Sequence, residues 1–265
     1  MSLHRGSTSS PSPFDVSRLA LAVMLVAVLG GCAAKSSDVT GSVPTLATQP
    51  SEIELRRRAD ALGEQYRARP NDPQIAIAYA SALRAIGQRA QAAAVLQQAS
   101  IRNPKDKAVL GAYGRALTEI GNYAQALEVL GRAHSPDQPD WQILNAQGAV
   151  LDQMGNHVQA RRYYETALKI VPEEPAILSN LGLSYALSKD LVRAETILRR
   201  AAANPRADKK VRQNLALVLG LQGKFEESER VAASDLPPDE ARANIAYLRE
   251  MIREQDRLKA LGARS

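Results

Sequence analysis

The chain has 265 residues and a formal charge of +6, with 45% hydrophobic, 23% charged and only 4% aromatic residues. That length admits one or two domains, and an apolar set dominated by Ala and Leu favours closely packed helices over a β-sandwich. Two Phe and one Trp provide no aromatic platform for nucleic acid. The runs Arg56-Arg57-Arg58 and Lys209-Lys210 read as solvated helix faces, with contact to acidic partners or lipid headgroups as the other reading.

The first segment has a basic bias, from His4, Arg5 and Arg18, and is followed by an apolar run of 11 residues from Leu19 to Leu29. A bilayer core of about 30 Å needs roughly 20 apolar residues, so this run is too short to span one. It fits the core of a signal peptide. It ends at Leu29-Gly30-Gly31-Cys32, and Cys32 is the only cysteine, with no partner for an intramolecular disulfide. The four residues resemble the bacterial lipoprotein lipobox, with Gly30 the less usual choice. The resemblance implies removal of the signal peptide, residues 1–31, and lipidation of Cys32 by diacylglycerol and an N-acyl chain of the palmitate kind. A plain secretory signal with a chance cysteine is the alternative. Several acyl chains, at about 0.8 kcal/mol per buried CH₂, anchor a protein stably. Ala33 in place of Asp implies the outer membrane by the family's sorting rules. Residues 32–50 are rich in Ser, Thr, Pro and Gly without period and read as a lipidated N-terminus and flexible tether. The span of that tether is roughly 23 Å.

Ser51-Glu52-Ile53-Glu54 reads as a capping box that opens a helix over 51–69. From there the chain is periodic at 34 residues. Small residues recur at Ala80, Gly114, Gly148, Gly182 and Ala216. A second series is Gly87, Gly121, Gly155 and Gly223, broken only by Lys189. A third is Ala92, Ala126, Ala160, Ala194 and Ser228. Prolines close units at Pro70, Pro104 and Pro172, and Gln138 replaces one inside the irregular HSPDQPD. Between the marks the apolar spacing is helical; Leu110, Tyr113, Leu117 and Ile120 share one face. This is the tetratricopeptide-repeat pattern, and it predicts five helix pairs over about 73–238. The fold class expected is all-α: a right-handed superhelical solenoid of tetratricopeptide repeats with N- and C-terminal capping helices. The second cap begins at Pro237-Pro238 and covers 238–261, with the stripe Ala241, Ile245, Leu248 and Ile252 facing the last unit. The folded part thus spans 51–261, with a short tail over 262–265.

No constellation for catalysis appears: no HExxH, CxxC, GxSxG or Walker-type loop, and three scattered histidines. The sequence therefore predicts no enzyme, no metal site, no cofactor beyond the acyl chains, no small-molecule substrate and no nucleic acid. What remains is the concave groove of the solenoid, lined by the first helix of each unit. Its sixth position reads Ala78, Ala112, Ala146, Asn180 and Asn214. An Asn amide both donates and accepts a hydrogen bond, and suits a ligand backbone. With Leu183, Leu187, Leu217 and Leu221 it forms a candidate partner-binding groove of Asn180, Leu183, Leu187, Asn214, Leu217 and Leu221. Two alternatives stand beside it: the C-terminal helix fills the groove, or the asparagines reflect only the repeat consensus.

"NLALVLGLQGKFEESERVA" followed by "DLPPDEARANIAYL", with the lipobox and the five units, resembles the TadD-type lipoprotein of the tight-adherence (Flp) pilus systems over essentially the whole chain. The resemblance implies an outer-membrane lipoprotein at the periplasmic face. Its role would be a pilotin-like scaffold for pilus assembly, with the outer-membrane secretin or other assembly components as partners and Cys32 as anchor. An assembly lipoprotein of another envelope machine, of the type IV pilus kind, and an adaptor regulating cell-wall enzymes are the other readings.

Overall fold

The computed structural model describes residues 51–135 and 137–262. Residues 1–50, which hold the expected signal peptide, Cys32 and the expected tether, lie outside the described residues, as do Pro136 of HSPDQPD and the last three residues. Ser51 caps α1 (Glu52–Ala68): its hydroxyl accepts from the Glu54 amide, and the Glu54 carboxylate accepts from the Ser51 amide, 2.6 Å away. The inner face of α1 is small, Ala59 and Gly63, and Tyr79 of the next helix lies against it.

Five helix pairs follow: α2 (Pro73–Ala85) with α3 (Arg89–Arg102), α4 (Lys107–Glu119) with α5 (Tyr123–Arg132), α6 (Trp141–Gln153) with α7 (His157–Ile170), α8 (Pro175–Leu187) with α9 (Leu191–Ala202), and α10 (Lys209–Leu221) with α11 (Phe225–Ala232). Asp72, Asp106 and Asp140 each accept from the amides of the second and third residues of the helix that follows. Asp208 caps α10 through the Val211 amide. A cap of this kind contributes about 1 kcal/mol.

Each first helix turns into its second through a residue in the left-handed region. Gly87, Gly121, Gly155 and Gly223 have φ near 79–80°, and Lys189 takes the same place at 64°. The small residues of the first series are where two helices of a pair meet. A Cβ on Gly114 would stand 2.5 Å from Leu130 Cγ, and one on Gly148 2.5 Å from Tyr164 Cε1. Leu130 and Tyr164 are accordingly buried to 0% and 1% exposure. Truncating such a core Leu costs about 2–5 kcal/mol.

Consecutive first helices also touch one another, α2 to α4, α4 to α6, α6 to α8 and α8 to α10, whereas consecutive second helices make no comparable contact. The first helices therefore line the inner, concave face. The last helix, α12 (Pro238–Gly262), packs on α11 and α10. Ala241, Ile245 and Leu248 are buried, and Leu248 fills the place a Cβ of Gly220 would take. Beyond Ile252 all but Gln255 of the α12 residues to Leu261 are exposed. Among the described residues no helix is long and apolar enough to cross a membrane.

Candidate functional site: the concave face

The face made by α2, α4, α6, α8 and α10 divides into two halves. In the first half its floor is short: Ala78, Ala112, Ala146 and Ala149 are all half-buried. In the second half Leu183, Leu187 and Leu221 stand half-buried, with Asn180 beside them. The six candidate residues are therefore not equivalent. Asn214 is 2% exposed and donates from Nδ2 to Ser179 Oγ at 2.8 Å, and Leu217 is 7% exposed. Both belong to the packing between units. Asn180 donates to Asn145 Oδ1 at 3.0 Å on the preceding first helix. The two asparagines thus form the same strut, sixth position to the fifth of the unit before, and register neighbouring helices.

The C-terminal helix closes the end of the solenoid. It makes no comparable contact back to α8, and the half-buried leucines of α8 stay open. Position one of the third unit, Trp141, is half-buried. There Lys107, Gln138, Pro139, Asp140, Trp141 and Gln142 line a cleft of about 480 Å³. Within HSPDQPD, Ser135 is bridged to Gln138.

The polar interior lies elsewhere, between the third and fourth units. Asp152, 7% exposed, receives Tyr164 Oη at 2.9 Å and Ser184 Oγ at 2.8 Å, and has His157 Nδ1 at 2.8 Å. Burial raises the Asp152 carboxyl above the usual carboxylate range, against the pull of these three partners. The Tyr164 hydroxyl is pushed up well above its ordinary value, first by burial and then by the Asp152 charge. The sequence reading missed this cluster, because Asp152, His157, Tyr164 and Ser184 come from three helices and no spacing links them. It is enclosed by helices, and what it does is hold α6, α7 and α8 together.

Around the edges, paired charges tie units to each other. Arg84 grips Glu119 with two nitrogens, Arg212 pairs with Asp235 at 2.5 Å, and Glu195 receives Lys224 Nζ at 2.6 Å and Arg199 Nη2 at 2.8 Å. Lys224, ahead of the opposing cost of burial and the help of Arg199, holds the Glu195 carboxyl down at about 2.

Two family models described as tetratricopeptide repeat match the chain, at residues 83–148 and 145–208. No curated protein matches. Among solved structures, the chain is similar to PilW, a "widely conserved type IV pilus biogenesis factor", at 15% identity and a TM-score of 0.62, covering 73% of this chain and 91% of that one. It is similar to a thermophilic tetratricopeptide-repeat protein of Thermus thermophilus at 22% identity and a TM-score of 0.59, over 67% and 98%. It is similar to pilF of Pseudomonas aeruginosa at 19% identity and a TM-score of 0.51, over 68% and 80%. At such identities these likenesses establish the fold. The chain is an all-α tetratricopeptide-repeat superhelix.

Proposed function

From a tetratricopeptide-repeat interaction scaffold as premise, we propose that this protein is a lipid-anchored helper of pilus assembly in the bacterial envelope. In this reading Cys32 carries the acyl chains, and the solenoid works at the periplasmic face of the outer membrane. Its groove takes a segment of an outer-membrane secretin or another component of a Flp-type pilus machine. The mechanism is physical: an anchored groove raises the local concentration of its partner at the membrane. The single observation that carries the reading is the open concave face, whose α8 leucines stay half-buried and uncovered by the cap. The lipobox-like Leu29–Cys32 and the resemblance of the C-terminal third point it toward the envelope and the pilus.

The test is a photo-crosslinker at Leu183 in intact cells, paired with Cys32→Ser. Capture of a secretin or pilus component, and loss of the variant from the outer-membrane fraction, are the expected results. Capture of a cell-wall enzyme favours the adaptor reading, and a Cys32→Ser protein that stays in the membrane sinks the lipid anchor. Leu183→Glu with Leu187→Glu is the pair that tests the groove. Leu217 is too buried for a charge there to report on binding rather than folding.

A further inference from the structure

Arg84, Glu119, Asp152 and Arg212 of the first helices each find a charged or hydrogen-bonding partner within the solenoid; Arg115 does not. It occupies the middle of α4, on the concave face, where the ninth positions of the neighbouring units are Ser81 and Ala149. Its guanidinium folds back over Gly111: a Cβ there would lie 3.5 Å from Arg115 Nη1 and 2.8 Å from Ile143 Cδ1 of α6. Glycine within a helix is less favourable than alanine. Here it leaves room for Ile143 of α6, with the guanidinium at ordinary contact distance beside it.

Two carboxylates are near enough to act on Arg115, Glu119 and Asp140. Both are engaged elsewhere. Glu119 is held by the fork of Arg84. Asp140 caps α6, accepting the amides of Gln142 at 2.7 Å and Ile143 at 3.3 Å. Among the described residues Arg115 makes no hydrogen bond and no ion pair. Crowding by the groove walls, with Arg84 adding repulsion, lowers its affinity for its proton. Arg193, Arg199, Arg200 and Arg212 shift the opposite way, each beside its own carboxylate. The residue is open to solvent, and with both nearby carboxylates engaged its guanidinium fork is left without a hydrogen-bonding partner.

We propose that Arg115 is a carboxylate-reading position of the groove, and that the segment docking on α2, α4 and α6 is a polypeptide with an acidic side chain among small ones. The alanine floor lets a backbone come close, and the planar guanidinium fork matches a carboxylate in two parallel bonds. Glu119 and Asp140 flank the position and disfavour a dianion, which selects a carboxylate over a phosphate. With the half-buried leucines of α8 further along the same face, the groove reads a segment that is acidic at one end and apolar at the other. This deepens the groove reading given above and rests on it.

The experiment is selection of a displayed peptide library on the purified mature protein, in parallel with Arg115→Gln and Arg115→Glu. Wild type is expected to enrich one fixed Asp or Glu flanked by small residues. Arg115→Gln loses that preference, and Arg115→Glu selects Lys or Arg at the same place. A selected peptide binds the Gln variant about 10–100-fold more weakly, the scale of a lost charge-assisted pair. Fluorescence of Trp141, the only tryptophan, reads the titration, and circular dichroism checks that each variant is folded. Enriched peptides with no fixed acid, or the same acid from all three proteins, overturn the proposal. Displacement by millimolar phosphate but not by acetate also overturns it, in favour of a phosphate-bearing ligand. If Leu183→Glu with Leu187→Glu abolishes binding while Arg115→Gln does not, the groove reading stands and the Arg115 reading falls. If no peptide is enriched, both fall.

Discussion

Lys189 stands where every other unit has glycine, and its φ of 64° is the left-handed conformation that an L side chain adopts at a cost. The hydrogen bond that closes the turn is kept, from the Asp190 amide to the Tyr185 carbonyl at 2.9 Å, as Gln88 and Leu83 do at 2.8 Å in the first unit. The side chain is therefore tolerated, not required. Lys189→Gly is expected to stabilise the protein by about 0.5–1 kcal/mol, the strain relieved less the extra freedom of unfolded glycine. A urea titration checks it, and an unchanged midpoint would show that the turn stores no strain. Asp152 has the opposite character, since its packing is required. Its carboxyl is raised in the folded state by burial, so the folded protein binds that proton more tightly than the unfolded chain does. The contribution is thus favourable below the ordinary carboxyl value of about 4 and is lost as pH rises through the higher folded value. Asp152→Asn removes this slope. Denaturation across a pH series is expected to show wild type losing stability relative to the variant as pH rises from about 4 toward neutrality. A constant difference would mean that the three partners fully offset the burial.

Among the helices, α12 has the clearest task. A repeat array ends in an apolar surface that a polar-backed cap must cover. Ala216 and Ala232 of the last pair, with Ala241, form the seam, and Leu248 fills the hollow over Gly220. Leu248→Glu is expected to cost about 2–4 kcal/mol, since it buries a charge and empties the hollow at once. It should also raise binding of a hydrophobic dye. A variant as stable as wild type would mean that α12 merely rests on the end of the solenoid. The aspartates before the first helices carry a complementary lesson. Asp72, Asp106, Asp140 and Asp208 fall on the 34-residue period, and Glu174 takes the fourth place without capping its helix. The period of the sequence contains this series as plainly as the glycine one, but its meaning depends on where helices begin.

At the scale of the whole solenoid, each pair touches mainly its neighbours, so stability is a sum of unit and interface terms. The third and fourth units share the enclosed Asp152 cluster and hold neighbours on both sides, while the outer turns of α12 hold none. Native-state hydrogen exchange is expected to be slowest in α6, α7 and α8 and fastest beyond Ile252, with unfolding that departs from two-state behaviour. Uniform protection across the five pairs would contradict this gradient. The five pairs, both caps and the turn positions were legible in the sequence, because helix packing at a fixed spacing forces small residues and glycines to recur at fixed offsets. The groove was legible only in outline. Position in a repeat says which residues face inward but not which are consumed by packing. Asn214 and Leu217 carried the inward pattern and are buried. Arg115 carried it too, and its lack of a partner follows from Arg84 having taken Glu119 and α6 having taken Asp140. Periodicity is a property of one chain in order, so the sequence alone determined the architecture. Whether a side chain is spent or available depends on neighbours far along the chain, and only the tertiary structure decided that.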